Sequence, residues 1–164
     1  MCGRVKITDR FEPDPEMAEH VAKYATEFNE KLSLPIGYTS VELEGRFENI
    51  RAKETNFTGF VSDIIRTEWP GVDFAMMNSG GFRSNSVIPP GEITLKNIRS
   101  TFPDEEKICL MKMNAAFLHS VLEVAVGKYP NLEGRFPTIS GFRFAFDPSK
   151  PAGSRIDINS LTDT

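Results

Sequence analysis

The chain is 164 residues long, room for one domain of ordinary size and too short for two comfortable ones. Hydrophobic residues make up 40% and charged residues 26%, the balance of a packed core and not of a disordered chain. With 19 Lys and Arg against 23 Asp and Glu, the net charge of -4 argues against a broad nucleic-acid surface, and no apolar run approaches the roughly 20 residues that cross a bilayer.

The opening Met1-Cys2-Gly3-Arg4-Val5-Lys6 has no hydrophobic stretch behind it, so no secretory signal is read here, and Cys2 stands where myristoylation requires Gly. Asp14-Pro15-Glu16 predicts a helix start, with Met17, Val21, Tyr24, Ala25, Phe28 and Leu32 recurring at helical spacing until Pro35 forbids continuation. Ile36 to Leu43 reads as a strand closed by a Glu44-Gly45 turn. Asn56 is expected to cap a second helix bearing Phe57, Phe60, Val61, Ile64 and Ile65, stopped by Pro70-Gly71. Val72 to Met77 is nearly continuous in apolar residues and reads as a strand buried on both faces. Thr94 is expected to cap a short helix through Ile98, and Lys107 to Met113 reads as a strand in which Cys109 is a small buried hydrophobe. Asn114 then caps a helix with Phe117, Leu118, Val121, Leu122 and Ala125, ended by Gly127 and Pro130. Phe142, Phe144 and Phe146 alternate along a strand, and Ile156 and Ile158 alternate on its return. Strands and helices interleave, which predicts a mixed α/β domain with the N-terminal helix standing apart.

Metal and nucleophile chemistry is poorly supplied. Cys2 and Cys109 cannot build a disulfide framework or a zinc site, and His20 and His119 lie far apart, where catalytic zinc wants three protein ligands. Anion chemistry is better supplied. Asn78-Ser79-Gly80-Gly81-Phe82-Arg83 follows a strand with two glycines that let the backbone turn and present N–H groups, a carboxamide that donates and accepts, and a planar guanidinium. Without a Lys-Ser or Lys-Thr it is no P-loop, and spacing alone reads it equally as a tight turn with a solvated arginine. Arg46, Arg51 and Lys53 precede a helix N-terminus, a pattern that favours an anion, although such runs are usually solvated loops and Glu54 stands nearby.

The run Glu54-Thr55-Asn56-Phe57-Thr58-Gly59-Phe60 with Asp63 resembles the opening of the C-terminal domain of the family of 5′-nucleotidases, UDP-sugar hydrolases and 2′,3′-cyclic-nucleotide phosphodiesterases. Asn78 to Arg83 is similar to that family's Asn-x-Gly-Gly-x-Arg loop. Gly91-Glu92-Ile93-Thr94, Phe102-Pro103, Glu133-Gly134-Arg135-Phe136-Pro137 and Asp147-Pro148-Ser149-Lys150-Pro151 follow in the family's order. The resemblance implies an α/β (α+β type) fold, a single mixed-sheet domain with flanking helices over residues 35–164. A linker with a long helix over residues 1–34 precedes it. It further implies a division of labour: an N-terminal metallophosphoesterase domain holds two divalent metal ions and hydrolyses, while this domain grips a nucleotide or related phosphate ester. This chain carries none of the Asp-x-His, Gly-Asn-His or Gly-His-x-His metal motifs, so no cofactor is expected in it. Nucleic-acid binding and membrane insertion are not expected either.

Residue by residue, the resemblance places Asn78 on the base and Arg83 on the phosphate. Arg51 stands where the family has a second substrate arginine, and Gly80 and Gly81 form the loop between. Two departures stand out. Asp104 follows Pro103 where the family often has a base-stacking Phe, leaving Phe102 as the neighbouring aromatic, and Thr164 precedes the family's aromatic and Gly-Gly-Asp segment, so the domain is read as truncated there. Family members are often periplasmic or cell-surface, but nothing in this chain assigns a compartment. The competing reading is a non-catalytic module of the same fold that senses a ligand or binds a protein.

Overall fold

The computed structural model describes residues 4–163. Helix α1 (Pro15–Leu32) opens as expected: the Asp14 carboxylate accepts the Met17 N–H at 2.9 Å, and Pro15 occupies the first turn, where its missing N–H costs nothing. Its apolar stripe of Met17, Val21, Tyr24 and Phe28 is exposed. The single strand predicted over Ile36 to Leu43 is two, β1 (Pro35–Thr39) and β2 (Leu43–Glu44). The break is local. The Thr39 hydroxyl donates to the Val41 carbonyl at 2.7 Å and folds Ser40–Val41 into a turn that hydrophobic patterning does not register.

A short helix α2 (Phe47–Ile50) lies in the stretch that reads as polar loop, and α3 (Asn56–Glu68) follows. Its cap is Thr55, not Asn56. Thr55 Oγ1 accepts the Thr58 N–H, and Thr58 Oγ1 accepts the Thr55 N–H at 3.1 Å, a reciprocal pair that satisfies two end groups at once. Asn56 is thereby released for another task. Its Oδ1 accepts the Glu44 N–H at 3.0 Å and its Nδ2 donates to the Glu42 carbonyl at 2.7 Å, fastening β2 to the start of α3.

Strand β3 (Ala75–Asn78) is shorter than the expected Val72 to Met77. It is followed by β4 (Val87–Ile88), β5 (Gly91–Thr94), α4 (Leu95–Thr101) and α5 (Ala115–Val126), the last two capped by Thr94 and Asn114 as predicted, with α4 running three residues past Ile98. β6 (Pro137–Ser140), β7 (Phe142–Phe146) and β8 (Ile156–Asp163) close the chain. The strands form four two-stranded antiparallel ladders, β1–β5, β2–β4, β3–β6 and β7–β8, in the expected mixture of helix and strand. Phe142, Phe144 and Phe146 share one face of β7, whereas Ile158 on the return strand is exposed.

Lys107 to Met113 is not a strand, because an apolar run favours an extended backbone but a ladder also needs a neighbour. Among the described residues, nothing hydrogen-bonds to the backbone of residues 104–113, and Cys109 is exposed instead of buried. Among the described residues no helix is long and apolar enough to cross a membrane.

Two hydrophobic clusters hold the domain. One comprises Leu43, Ile50, Phe57, Phe82, Ile88 and Ile93, and the other Leu122, Val126, Phe136, Phe142 and Ile156. The seam between them includes β3, whose two-residue period sends Met77 to the first cluster and Met76 to the second. The expectation that both faces of this strand meet the core is met in this form. Across the seam the buried Ser62 hydroxyl donates to Thr138 Oγ1 at 3.1 Å, and Ser140 donates to Asp63 Oδ1 at 2.6 Å.

Candidate functional site

The loop leaving β3 is a single 3₁₀ turn, Ser79–Gly81, fixed at both ends by burial. Ser79 and Phe82 are wholly inside, and the Phe82 ring meets Phe57 and Phe102 edge-on at centroid distances of 5.4 and 5.0 Å. Phe102 is thus a core residue against Phe82, and Asp104 is exposed beyond it. The Arg83 N–H donates to the Thr101 carbonyl at 2.9 Å, tying the loop to the end of α4.

The loop is also held from its other side, by the turn at residues 132–136, to which sequence reading assigns no role. Ser79 N–H donates to the Phe136 carbonyl at 2.8 Å, Gly80 N–H to the Gly134 carbonyl at 2.7 Å, and Asn78 Nδ2 to that same carbonyl at 3.2 Å. Gly80 is therefore required for a reason other than the one expected. Its amide is committed to Gly134, and a Cβ on it would stand 3.0 Å from the Gly134 oxygen and 3.1 Å from Gly134 Cα. Glycine at both positions is what lets the two backbones touch. The signal was present in Glu133-Gly134-Arg135, but nothing local says which backbone such a glycine will meet.

Arg51 reaches the same turn. Its Nη1 donates to the Leu132 carbonyl at 3.1 Å, its guanidinium lies 3.9 Å over the Phe47 ring, and its Nε is buried without a hydrogen-bond partner among the described residues. Arg83 Nη1 folds back toward the Gly80 carbonyl at 3.4 Å, a long and weak contact. The structure thus brings Arg51, Asn78 and Gly80 onto Leu132–Gly134, with Arg83 joined to that group through Gly80. A Cβ on Gly81 would meet only the flexible end of Met77, at 3.1 Å.

The cation run divides. Arg46 is consumed by Glu44, whose carboxylate takes both its Nε and its own backbone N–H, at 3.0 and 2.9 Å, and by Glu48 at 3.6 Å. The Arg46 side-chain hydrogen bond holds the Glu44 carboxyl down at about 2, against the usual 4.5. Lys53 lies on the rim of a cleft of about 610 Å³ whose walls include Asp63, Arg66, Phe136, Ser140 and Phe144. Arg51, Asn78 and Arg83 do not line that cleft.

Two divalent metal ions are part of the chemistry the resemblance implies. Among the described residues no three His, Cys, Asp or Glu side chains come together in a way that could hold a metal ion, so the residues present do not fit such a centre.

Residues 35–163 match the family described as 5′-nucleotidase, C-terminal domain. The trifunctional nucleotide phosphoesterase protein YfkN of Bacillus subtilis is 28% identical over 153 residues, which cover 92% of this chain and 10% of that protein. The human 5′-nucleotidase is 24% identical over 153 residues, 87% of this chain and 27% of the enzyme. Among solved structures, the 5′-nucleotidase precursor of Thermus thermophilus superposes with a TM-score of 0.77 at 28% identity, over 92% of this chain and 31% of that one. The chain spans about a tenth to a third of the length of these relatives.

Proposed function

Because the chain belongs to the 5′-nucleotidase C-terminal domain family, we propose that residues 35–164 are the substrate-binding domain of a 5′-nucleotidase-like phosphoric ester hydrolase and that residues 1–34 are its linker. In this reading the domain grips a nucleotide phosphate ester, and a separate N-terminal metallophosphoesterase domain holds the metal ions and does the hydrolysis. Arg83 and Arg51 offset charge on the phosphate oxygens, and the Asn78 carboxamide, whose Oδ1 is uncommitted, takes the base. Gly80 and Gly81 form the floor between them. The observation that supports this most is the shared anchorage of Arg51 and Asn78, 27 positions apart in sequence, on carbonyls two residues apart.

The committed Gly80 amide and the exposed Asp104 favour the second reading, a ligand-sensing or protein-binding module of the same fold. Calorimetric titration of the chain with AMP separates the two. Asn78 is exposed, so a Kd in the millimolar range, about 4 kcal/mol, is expected. Arg83→Ala should remove most of that affinity, and Arg83→Lys should restore little, since an ammonium cannot make the bidentate contact. The chain alone should release no phosphate from AMP with Mn²⁺ present. Absence of AMP binding at ten times the expected Kd, or unchanged binding by Arg83→Ala, overturns the nucleotide reading.

A further inference from the structure

Among the described residues, Asn85 is the one non-glycine residue with a positive φ, 46°. A left-handed backbone is costly for most side chains and tolerated by Asn, whose short polar side chain bonds to backbone. Asn85 lies two residues past Arg83, yet its side chain serves a different element. Its Oδ1 accepts the Phe47 N–H at 2.8 Å, across 38 positions of sequence. Phe47 opens α2, where the first N–H groups have no partner within the helix. Arg46, at the cap position, cannot serve them, since a guanidinium has no acceptor. The neighbouring bonds run along the same line: the Gly45 N–H donates to the Ser86 carbonyl at 3.1 Å, and Glu44 pairs with Val87 in the β2–β4 ladder.

Phe47 carries Arg51. The two residues are one helical turn apart and share a face. The Arg51 guanidinium lies 3.9 Å over the Phe47 ring, which packs against the first cluster, and its Nη1 donates to the Leu132 carbonyl at 3.1 Å. The ring fixes the plane of the group, and the carbonyl fixes one edge. We propose that Asn85 is a positioning residue for Arg51. By capping α2 at Phe47 it holds the ring that orients the guanidinium, and so ties the segment leaving Arg83 to the second arginine. The contact of Arg51 with a phosphate rests on the nucleotide reading; its placement by Asn85 does not.

Labelling of the full chain with p-hydroxyphenylglyoxal, read arginine by arginine by peptide mass spectrometry, tests the placement. Asn85→Gly keeps the left-handed backbone and deletes the acceptor, whereas Asn85→Asp keeps both. Arg51 should label about fivefold faster in Asn85→Gly, the factor that one lost hydrogen bond corresponds to, and within about twofold of wild type in Asn85→Asp. Phe47→Leu removes the ring face and keeps the apolar packing. It should free Arg51 as well, and Asn85→Gly should add nothing to it. Arg66 and Arg143, on the cleft wall, are the internal references. An unchanged Arg51 in Asn85→Gly overturns the proposal, and so does a rise matched at Arg66 and Arg143, which is general loosening. In AMP titrations, Asn85→Gly should weaken binding about fivefold, and not at all in an Arg51→Ala background. Equal weakening with and without Arg51 also overturns the proposal. Absence of AMP binding by the wild type overturns the nucleotide reading alone, and the labelling then decides the placement.

Discussion

Replacing Gly134 by Ala tests whether close backbone contact organises the site. The new Cβ would stand 2.8 Å from Gly80 Cα and 3.3 Å from Gly80 N. Two carbons come into contact at roughly 3.5 Å, so the backbones must part by about 0.7 Å, and no side-chain rotation can relieve a clash with main chain. Overpacking of this kind costs about 1–3 kcal/mol. Parting the chains also stretches the 2.7 Å hydrogen bond from Gly80 N–H to the Gly134 carbonyl and the 3.2 Å one from Asn78, which adds about 1 kcal/mol. The expected loss is about 2–4 kcal/mol, or a melting temperature roughly 5–15 °C lower in a chain of this size. Gly80→Ala, pressed by the same turn, should fall in the same range. Gly37→Ala is the control, since nothing lies within 4 Å of its added Cβ. Thermal unfolding followed by circular dichroism reads all three. A Gly134→Ala protein that melts within about 2 °C of wild type would refute the argument, and with it the reason given for glycine at both positions.

Phe82→Ala should destabilise the chain by about 3–5 kcal/mol in urea unfolding, because the ring is fully buried and joins Phe57 to Phe102. A loss under about 1 kcal/mol would show that the loop is not anchored in the first cluster. Glu44 predicts an acid limb. Its folded value lies near 2 and its unfolded one near 4.5, so its contribution is complete above about pH 4.5 and is lost as pH falls toward 2. Glu44→Gln should flatten that limb of the melting temperature and leave pH 7 to 8 parallel to wild type, and 1 M NaCl should shrink the difference because Arg46 is half exposed. An unchanged acid limb removes Glu44 as its source.

The helices were the most legible part of this chain. Asp14, Thr94 and Asn114 cap where the sequence places them, because a cap is a contact over three residues and needs nothing distant. Asn56 shows how that reading goes astray: two adjacent residues can cap, and the choice falls to Thr55 because Thr58 can reciprocate and β2 claims the carboxamide. Strands were legible as extended backbone but not as ladders. Lys107 to Met113 is an apolar run and Phe142 to Phe146 an alternating one, and only the second finds a partner, β8. At the site, the chemical types of Arg51, Asn78 and Arg83 were readable. The Leu132–Gly134 carbonyls were not, since a backbone acceptor leaves no mark in the sequence. Nor was the capture of Arg46, which hangs on one carboxylate two residues upstream.

The placement of these residues has a mechanical consequence. Phe82, at the end of the loop, belongs to the first cluster, and Phe136, two residues past Gly134, belongs to the second. The Gly80–Gly134 contact therefore lies on the seam between the two clusters. Arg51 and Asn78 issue from the first side and are fastened to carbonyls of the second, while Arg83 is fastened to Thr101 on the first. A shift of the seam moves the Arg51 and Asn78 anchors together and leaves Arg83 behind, because the Arg83 backbone does not cross it. In the proposed ligand complex, the distance from Arg83 to the Arg51 and Asn78 pair is thus set by the seam and not by the loop's own conformation. Gly134→Ala and Phe82→Ala should then differ in kind. The first widens the distance between the anchors and Arg83, and the second loosens the loop on its own side while leaving the turn in place.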